Sequence, residues 1–185
     1  MASSIEICNL ALVYLGQEPI IALDDTSKAA RLCKRLYTPT LEALLRAYPW
    51  TFAIKRVKLA QEVETPTFGY MYQYTLPSDC MRIVSVSIPL EKFAVENNKI
   101  LTDEPMVELR YVYRTESAND FDPQFIQVLA WRLAKVLCQA LTADQDLFAK
   151  VTQQEMQALM LAQHTNAIET CPQPVIEGPW IPSRY

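Results

Sequence analysis

Glycine is nearly absent: the 185 residues contain three, Gly16, Gly69 and Gly178. A phosphate-cradling loop needs several glycines close together, so that backbone N–H groups can reach the anion. No such cluster exists here, which argues against nucleotide binding of the usual kinds. Histidine occurs once, as His164, and neither G-x-S-x-G nor H-E-x-x-H is present to support hydrolysis. The five cysteines, Cys8, Cys33, Cys80, Cys138 and Cys171, are odd in number and far apart, without a C-x-x-C. That pattern points to reduced thiols made in a cytoplasm and away from a zinc site or a disulfide framework. No apolar run reaches the roughly 18 residues of a membrane span. The start, Met1-Ala2-Ser3-Ser4-Ile5-Glu6, lacks the basic segment of a secretory signal. Internal repeats and low-complexity segments are missing too. An excess of positive charge is also lacking, since the net charge is -4. A general DNA-binding protein would be basic overall, and an acidic chain is not drawn to anionic membranes.

What is present suffices for a proper core. Half of the residues are hydrophobic, and the length fits one domain, or one domain with an insertion. Ser3 and Glu6 have capping-box spacing, and Ile5, Cys8, Leu12 and Leu15 then form one apolar stripe. This predicts a first helix stopped at Gly16, where a left-handed residue is favoured. A second helix follows Asp24-Asp25-Thr26, with Ala29, Cys33, Leu36, Leu41, Leu44, Leu45 and Tyr48 at helical spacing. Pro39 is expected to kink or divide it, and Pro49 to end it.

The pattern changes at Trp50. Trp50, Phe52 and Ile54 alternate with small or polar residues, which predicts an extended segment. Tyr70, Tyr72 and Tyr74 are expected on one face of a strand, followed by a strand over Met81–Ile88. Residues 93–101 read as a hairpin turning at Asn97-Asn98, which pairs Glu96 with Lys99 and Val95 with Ile100. A last strand from about Met106 to Arg114 places Val107, Leu109, Tyr111 and Tyr113 on one face. Helices return at Asp122-Pro123, an N-cap followed by a favoured first helical position. The helix to Leu141 is apolar nearly all round and so is expected to be central. Thr142 and Gln145 offer a second capping-box spacing, before a last helix that ends near Ile168.

The resulting expectation is an α+β fold, mainly a bundle of about four helices. Residues 1–49 and 120–169 form the bundle, and 50–119 an inserted antiparallel β region. Residues 170–185 form an extended arm. Four prolines forbid a helix in that arm, yet Val175, Ile176, Trp180, Ile181 and Tyr185 make it unlike a solvated end. An arm with a tryptophan anchor suits a groove on the same chain, a second copy or another protein. Trp180, Ile181, Arg184 and Tyr185 are its candidate contact residues.

Catalytic signals are weak. His164 lies among Gln163, Thr165 and Asn166 and reads as a surface residue; a Cys/His nucleophilic pair would need a thiol beside it. The acid pairs Asp24-Asp25 and Asp144/Asp146 fall at helix starts, and Asp103-Glu104 in a turn. No loop has calcium-ligand spacing, and no cofactor is implied. The basic stretch is more informative. Lys28, Arg31, Lys34, Arg35, Arg46, Lys55, Arg56 and Lys58 share a span whose one acid is Glu42. It reads as a solvated helix face, as a surface for the acidic side of a neighbouring copy, or as a contact for nucleic-acid phosphates. Arg31, Arg35, Lys55 and Arg56 are its candidate interface residues.

Several segments share a wider likeness: Tyr48-Pro49-Trp50-Thr51-Phe52-Ala53; Gly69 through Arg82, containing the alternating tyrosines and Leu76-Pro77-Ser78-Asp79; Phe121-Asp122-Pro123-Gln124-Phe125 running into Leu129–Ala134; and the Trp180–Arg184 ending. In this order they resemble the tail tubular protein A family, the head–tail connectors of short-tailed phages and prophages. The resemblance covers nearly the whole chain. It implies a virion structural protein without a catalytic signature, made in the host cytoplasm. It also implies a ring of copies, commonly dodecameric, between the portal and the distal tail, or nozzle. Genomic DNA would pass through the lumen without sequence-specific binding, and no membrane is involved. A nucleic-acid-binding module on Lys28–Lys58 and a small Cys/His hydrolase are the alternative readings.

Overall fold

Where the chain leaves the helices and where it returns, the same aromatic cluster holds it. The computed structural model describes residues 3–170, and the candidate arm residues Trp180, Ile181, Arg184 and Tyr185 lie outside them. The described residues contain α1 (Ser4–Tyr14), α2 (Lys28–Ala47), β1 (Ile54–Lys58), β2 (Tyr72–Thr75), β3 (Cys80–Val86), β4 (Phe93–Glu96), β5 (Lys99–Thr102), β6 (Glu108–Tyr113), α3 (Pro123–Leu141) and α4 (Gln145–Glu169). The architecture is α+β: two helix pairs with an antiparallel β layer between them in sequence.

Local chemistry sets the helix ends. Ser3 and Glu6 form the expected reciprocal capping box on α1. Gly16 follows at φ +65°, and the Gln17 N–H reaches back to the Leu12 carbonyl at 2.9 Å, so the helix closes on a left-handed residue. Asp122 caps α3 through the N–H groups of Gln124 and Phe125, with Pro123 in the first turn. Two expectations are corrected here. Ser27, not the Asp24–Thr26 group, caps α2. Thr142 does not cap α4 either: its hydroxyl donates to the Cys138 carbonyl at the end of α3, and Asp144 caps α4.

Pro39 does not divide α2, which is one helix of 20 residues. Proline costs that helix one backbone hydrogen bond. Burial of Cys33, Tyr37, Leu41, Leu44 and Leu45 along the same helix offsets the loss. The core of the bundle is built from these residues with Ile7, Cys8 and Leu12 of α1 and Phe125, Val128, Leu129, Leu133 and Leu137 of α3. The central position expected for α3 holds, since it packs against α1, α2 and α4. Tyr14 of α1 stacks on Trp131 of α3 with ring centroids 3.7 Å apart and donates its hydroxyl to Gln127.

One charge is buried in the helix pair α3/α4. Glu155 accepts hydrogen bonds from Arg132 at 2.7 Å and Lys135 at 2.8 Å. Burial pushes its carboxyl up, but these two cations outweigh burial and hold it below the usual carboxylate range. Deeper in the bundle the neighbouring Cys33 side chain and burial push the Cys8 thiol up. Cys8, Cys33, Cys80 and Cys138 are all free.

The β layer consists of two three-stranded sheets, ordered β1-β6-β3 and β2-β5-β4. The hairpin turns at Asn97 and Asn98, with φ of 42° and 60°, and pairs Glu96 with Lys99 and Val95 with Ile100 as expected. The sheets share a second core of Tyr74, Leu76, Ile88, Ile100, Val107, Leu109 and Tyr111. The segment Trp50–Ile54 is not extended throughout, because Thr51–Ala53 make a tight helical turn before β1 begins. Tyr70 likewise lies outside the strand that carries Tyr72 and Tyr74.

That turn is the neck. Trp50 is 2% exposed and its indole N–H donates to the Leu44 carbonyl. Its ring meets Phe125 edge-on at 5.1 Å, and Phe52 meets Phe121 at 5.7 Å and Phe125 at 4.8 Å. Asn166 of α4 accepts from the Thr51 N–H and hydroxyl at 2.8 and 3.0 Å. Trp50→Ala should therefore cost about 3–5 kcal/mol in chemical denaturation. The sign for Glu155 follows from its depressed ionisation. Its contribution is present above the unfolded value near 4.3 and is lost as pH falls through the folded one. Glu155→Gln should lose about 1.5–3 kcal/mol at neutral pH, and the difference from wild type should shrink below about pH 4 in pH-resolved denaturation.

Candidate functional site

The structure disperses the basic stretch. Lys28 donates to the Ala140 carbonyl at the end of α3, and Lys34 pairs with Asp24. Arg46 reaches the Met81 carbonyl, while Arg82 reaches back to the Ala47 carbonyl. These two arginines tie the end of α2 to β3, where positive charge also suits the helix dipole. Lys55, a candidate interface residue, is likewise engaged. Its ammonium pairs with Asp79 at 3.1 Å and lies 3.7 Å from the centre of the Tyr113 ring. Tyr111 donates to the other oxygen of Asp79 at 3.0 Å, so one carboxylate joins β1, the β3 turn and β6. Burial and this bond push the Tyr111 hydroxyl up to about 12.

Arg31 and Arg35 remain exposed on α2, one helical turn apart, without ion pairs among the described residues. Arg56 and Lys58 lie elsewhere, on β1. The sequence thus places four candidates together that the fold separates onto the bundle and the β layer.

On the face of the β1-β6-β3 sheet turned away from the second core, the face that seats on the bundle at Val112, Arg56 finds a companion that the sequence reading did not pick out. Arg56 stands directly across from Arg110 of β6, and Arg110 across from Ser85 of β3. In the next row Lys58 faces Glu108, and the Glu108 N–H donates to the Ser87 hydroxyl. These side chains line a groove of about 410 Å³. None of Arg56, Lys58 and Arg110 makes an ion pair among the described residues. Arg110 Nε is buried without a hydrogen-bond partner. Like charges directly opposite on a sheet are destabilising, so this arrangement does not serve the stability of the isolated chain.

The other outer face, on the β2-β5-β4 sheet, has the opposite character. The loop over residues 59–71 folds across it and forms a second hollow of about 380 Å³ with Glu64, Phe68, Tyr70 and Glu96 at its rim. Phe68 is 87% exposed, as are Val63 and Met71 to a large extent. Lys99 sits across from Glu96 but bonds to Glu62 at 2.7 Å. Glu96 and Glu64 are therefore exposed without ion pairs among the described residues.

Three of the acids read as possible pairs have structural occupations. Asp25 accepts the N–H groups of Ile21 and Ala22, Asp103 accepts that of Met71, and Glu104 pairs with Lys92. His164 is exposed on α4, while Cys8, Cys33 and Cys138 are buried. Among the described residues no group of three or more His, Cys, Asp or Glu is placed to hold a metal, and no helix is long and apolar enough to cross a membrane. No protein-family model matches the chain, and no curated protein matches its sequence.

The Arg56–Arg110 juxtaposition has a stability signature. Arg56→Thr keeps the strand and removes the repulsion, so it should raise the unfolding free energy by about 0.2–1 kcal/mol. Equilibrium denaturation at low salt checks this, and the gain should shrink as salt screens the pair.

Proposed function

We propose that this protein is a structural adaptor of a phage-type particle. Its copies form a ring that joins the portal to the distal tail, and the channel for DNA continues through it. Separate apolar surfaces on a small rigid subunit are the observation that carries this reading. Met156, Met160, Leu161 and Ile168 are exposed along α4, and Val63, Phe68 and Met71 on the loop of the β layer. Met156 and Met160 stand one helical turn apart on α4, and exposed apolar side chains that adjoin one another mark a surface for a partner. A ring subunit needs unlike surfaces because it meets one neighbour with each. The resemblance of the Tyr48–Ala53, Gly69–Arg82 and Phe121–Ala134 segments and of the tail to tail tubular proteins supports the same conclusion. Its order of helix pair, β layer and helix pair suits an insertion that projects from a supporting bundle.

The acidic average of the chain also suits a channel. Each added phosphate contact would hold DNA more tightly, and a conduit must release it.

The test is incorporation into portal-bearing particles, followed by electron microscopy to locate the density. Met160→Glu and Phe68→Asp change exposed side chains, so each should alter folding stability by no more than about 0.5 kcal/mol. Each should nevertheless reduce incorporation severalfold. Removal of residues 171–185 should weaken portal binding while leaving the bundle folded; unchanged assembly would discard the role of the arm. Complete and infectious particles without this chain would discard the adaptor reading itself.

A further inference from the structure

The two faces of the β layer turned away from its core form a matched pair, the first of them seated in part on the bundle at Val112. One presents Arg56, Lys58 and Arg110 with a single carboxylate, Glu108. The other presents Glu64 and Glu96 beside an exposed Phe68. The hollows are of similar volume. Arg56, Lys58 and Arg110 of the first and Glu64 and Glu96 of the second lack ion pairs among the described residues, while Lys99 of the second pairs with Glu62. The sheets face each other through their shared apolar core, so the two charged surfaces point away from each other. A chain cannot bring its own two faces together, but a second copy can.

We propose that the β layers of successive copies stack front to back, with the Arg56–Arg110 groove of one copy taking the Glu64 and Glu96 carboxylates of the next. Two cross-strand arginines present adjacent planar donors, the geometry that favours carboxylate oxygens. The repulsion between Arg56 and Arg110, which stand directly opposite each other, is neutralised on contact. Phe68 supplies an aromatic anchor beside the charges. Glu108 argues for a protein occupant over a nucleic acid, because a continuous phosphate backbone crossing the groove would run over its carboxylate. Each copy would use one face for the neighbour before it and the other for the neighbour after it. That is a heterologous contact, the kind that builds rings or filaments. The proposal deepens the self-assembly part of the adaptor reading and rests on it.

Charge reversal in the full chain tests it. One variant carries Arg56→Glu and Arg110→Glu, another Glu64→Arg and Glu96→Arg, and a third all four changes. Self-association is followed by sedimentation at low salt across a wide protein concentration range. Carbodiimide crosslinking of mixed isotopic preparations then identifies contacts between copies. Wild type should give intermolecular crosslinks from Lys58 to Glu64 or Glu96. Either double variant alone should associate at least about tenfold more weakly, because like charges then meet. Mixing the two double variants should restore association, and so should the fourfold variant.

Double variants that associate as wild type does, or the absence of these crosslinks at every concentration, would overturn the proposal. Loss of the Lys58 crosslinks on removal of residues 171–185 would overturn it too, by assigning the groove to the arm. So would loss of duplex DNA binding in the Arg56/Arg110 variant with association unchanged. The two readings separate cleanly. Charge-dependent stacking in a protein that never joins portal-bearing particles keeps the stacking and discards the adaptor role. Incorporation that ignores the charge reversals does the opposite.

Discussion

The aromatic clamp at the neck governs the rest of the structure. Residues 54–120 lie between the two helix pairs, and closing so long an excursion has an entropic cost that grows only slowly with length. The more demanding requirement is that both ends return to one place. Trp50 and Phe52 on the way out and Phe121 and Phe125 on the way back meet that requirement in a single edge-to-face cluster. Such pairs contribute roughly 0.5–1.5 kcal/mol each beyond the area they bury. Asn166 adds the far end of the last helix by bonding to Thr51. Three remote parts of the chain therefore depend on one contact set, which belongs to the bundle core.

Polar ties then fix how the β layer sits on the bundle. Arg46 and Arg82 exchange bonds with each other's backbone neighbourhoods, and Arg114 pairs with Glu42 of α2. Asp79 performs a comparable role inside the layer, where it gathers Lys55 and Tyr111. The cations spent on these ties are no longer available to a partner. That selection leaves Arg56, Lys58 and Arg110 as the unpaired cations of the β1-β6-β3 sheet among the described residues, apart from Arg31 and Arg35 on the bundle, a distinction that charge counting along the chain could not make.

What could be read in advance was local. The Ser3–Glu6 box, the Asn97-Asn98 turn with its register, and the Asp122-Pro123 start each depend on residues within about one turn of each other. Pro39 was misleading because its local penalty is set against burial of α2's own apolar residues under α1 and α3, which are remote in sequence. Thr142 was misleading because Asp144, two residues on, is the stronger competitor for the same backbone donors. Half of the candidate site was legible, since Arg56 belongs to a conspicuous basic run. Arg110 was not, because its meaning comes from the residue opposite it, more than fifty positions away in sequence. In Glu108–Tyr113 the alternation identifies the buried face, but nothing in it specifies which strand lies alongside.

A rigid neck also matters for assembly geometry. Under front-to-back stacking of β layers, each copy is rotated relative to the last by a fixed angle, and closure requires that angle to repeat without drift. A loosely hinged insertion would spread the angles and favour open chains. Here the layer is held by packed aromatic rings at its entry and exit and by arginine bonds to the end of α2. Packing of this kind resists small distortions. If the proposed ring forms, the clamp is the element best placed to hold every copy at the same angle.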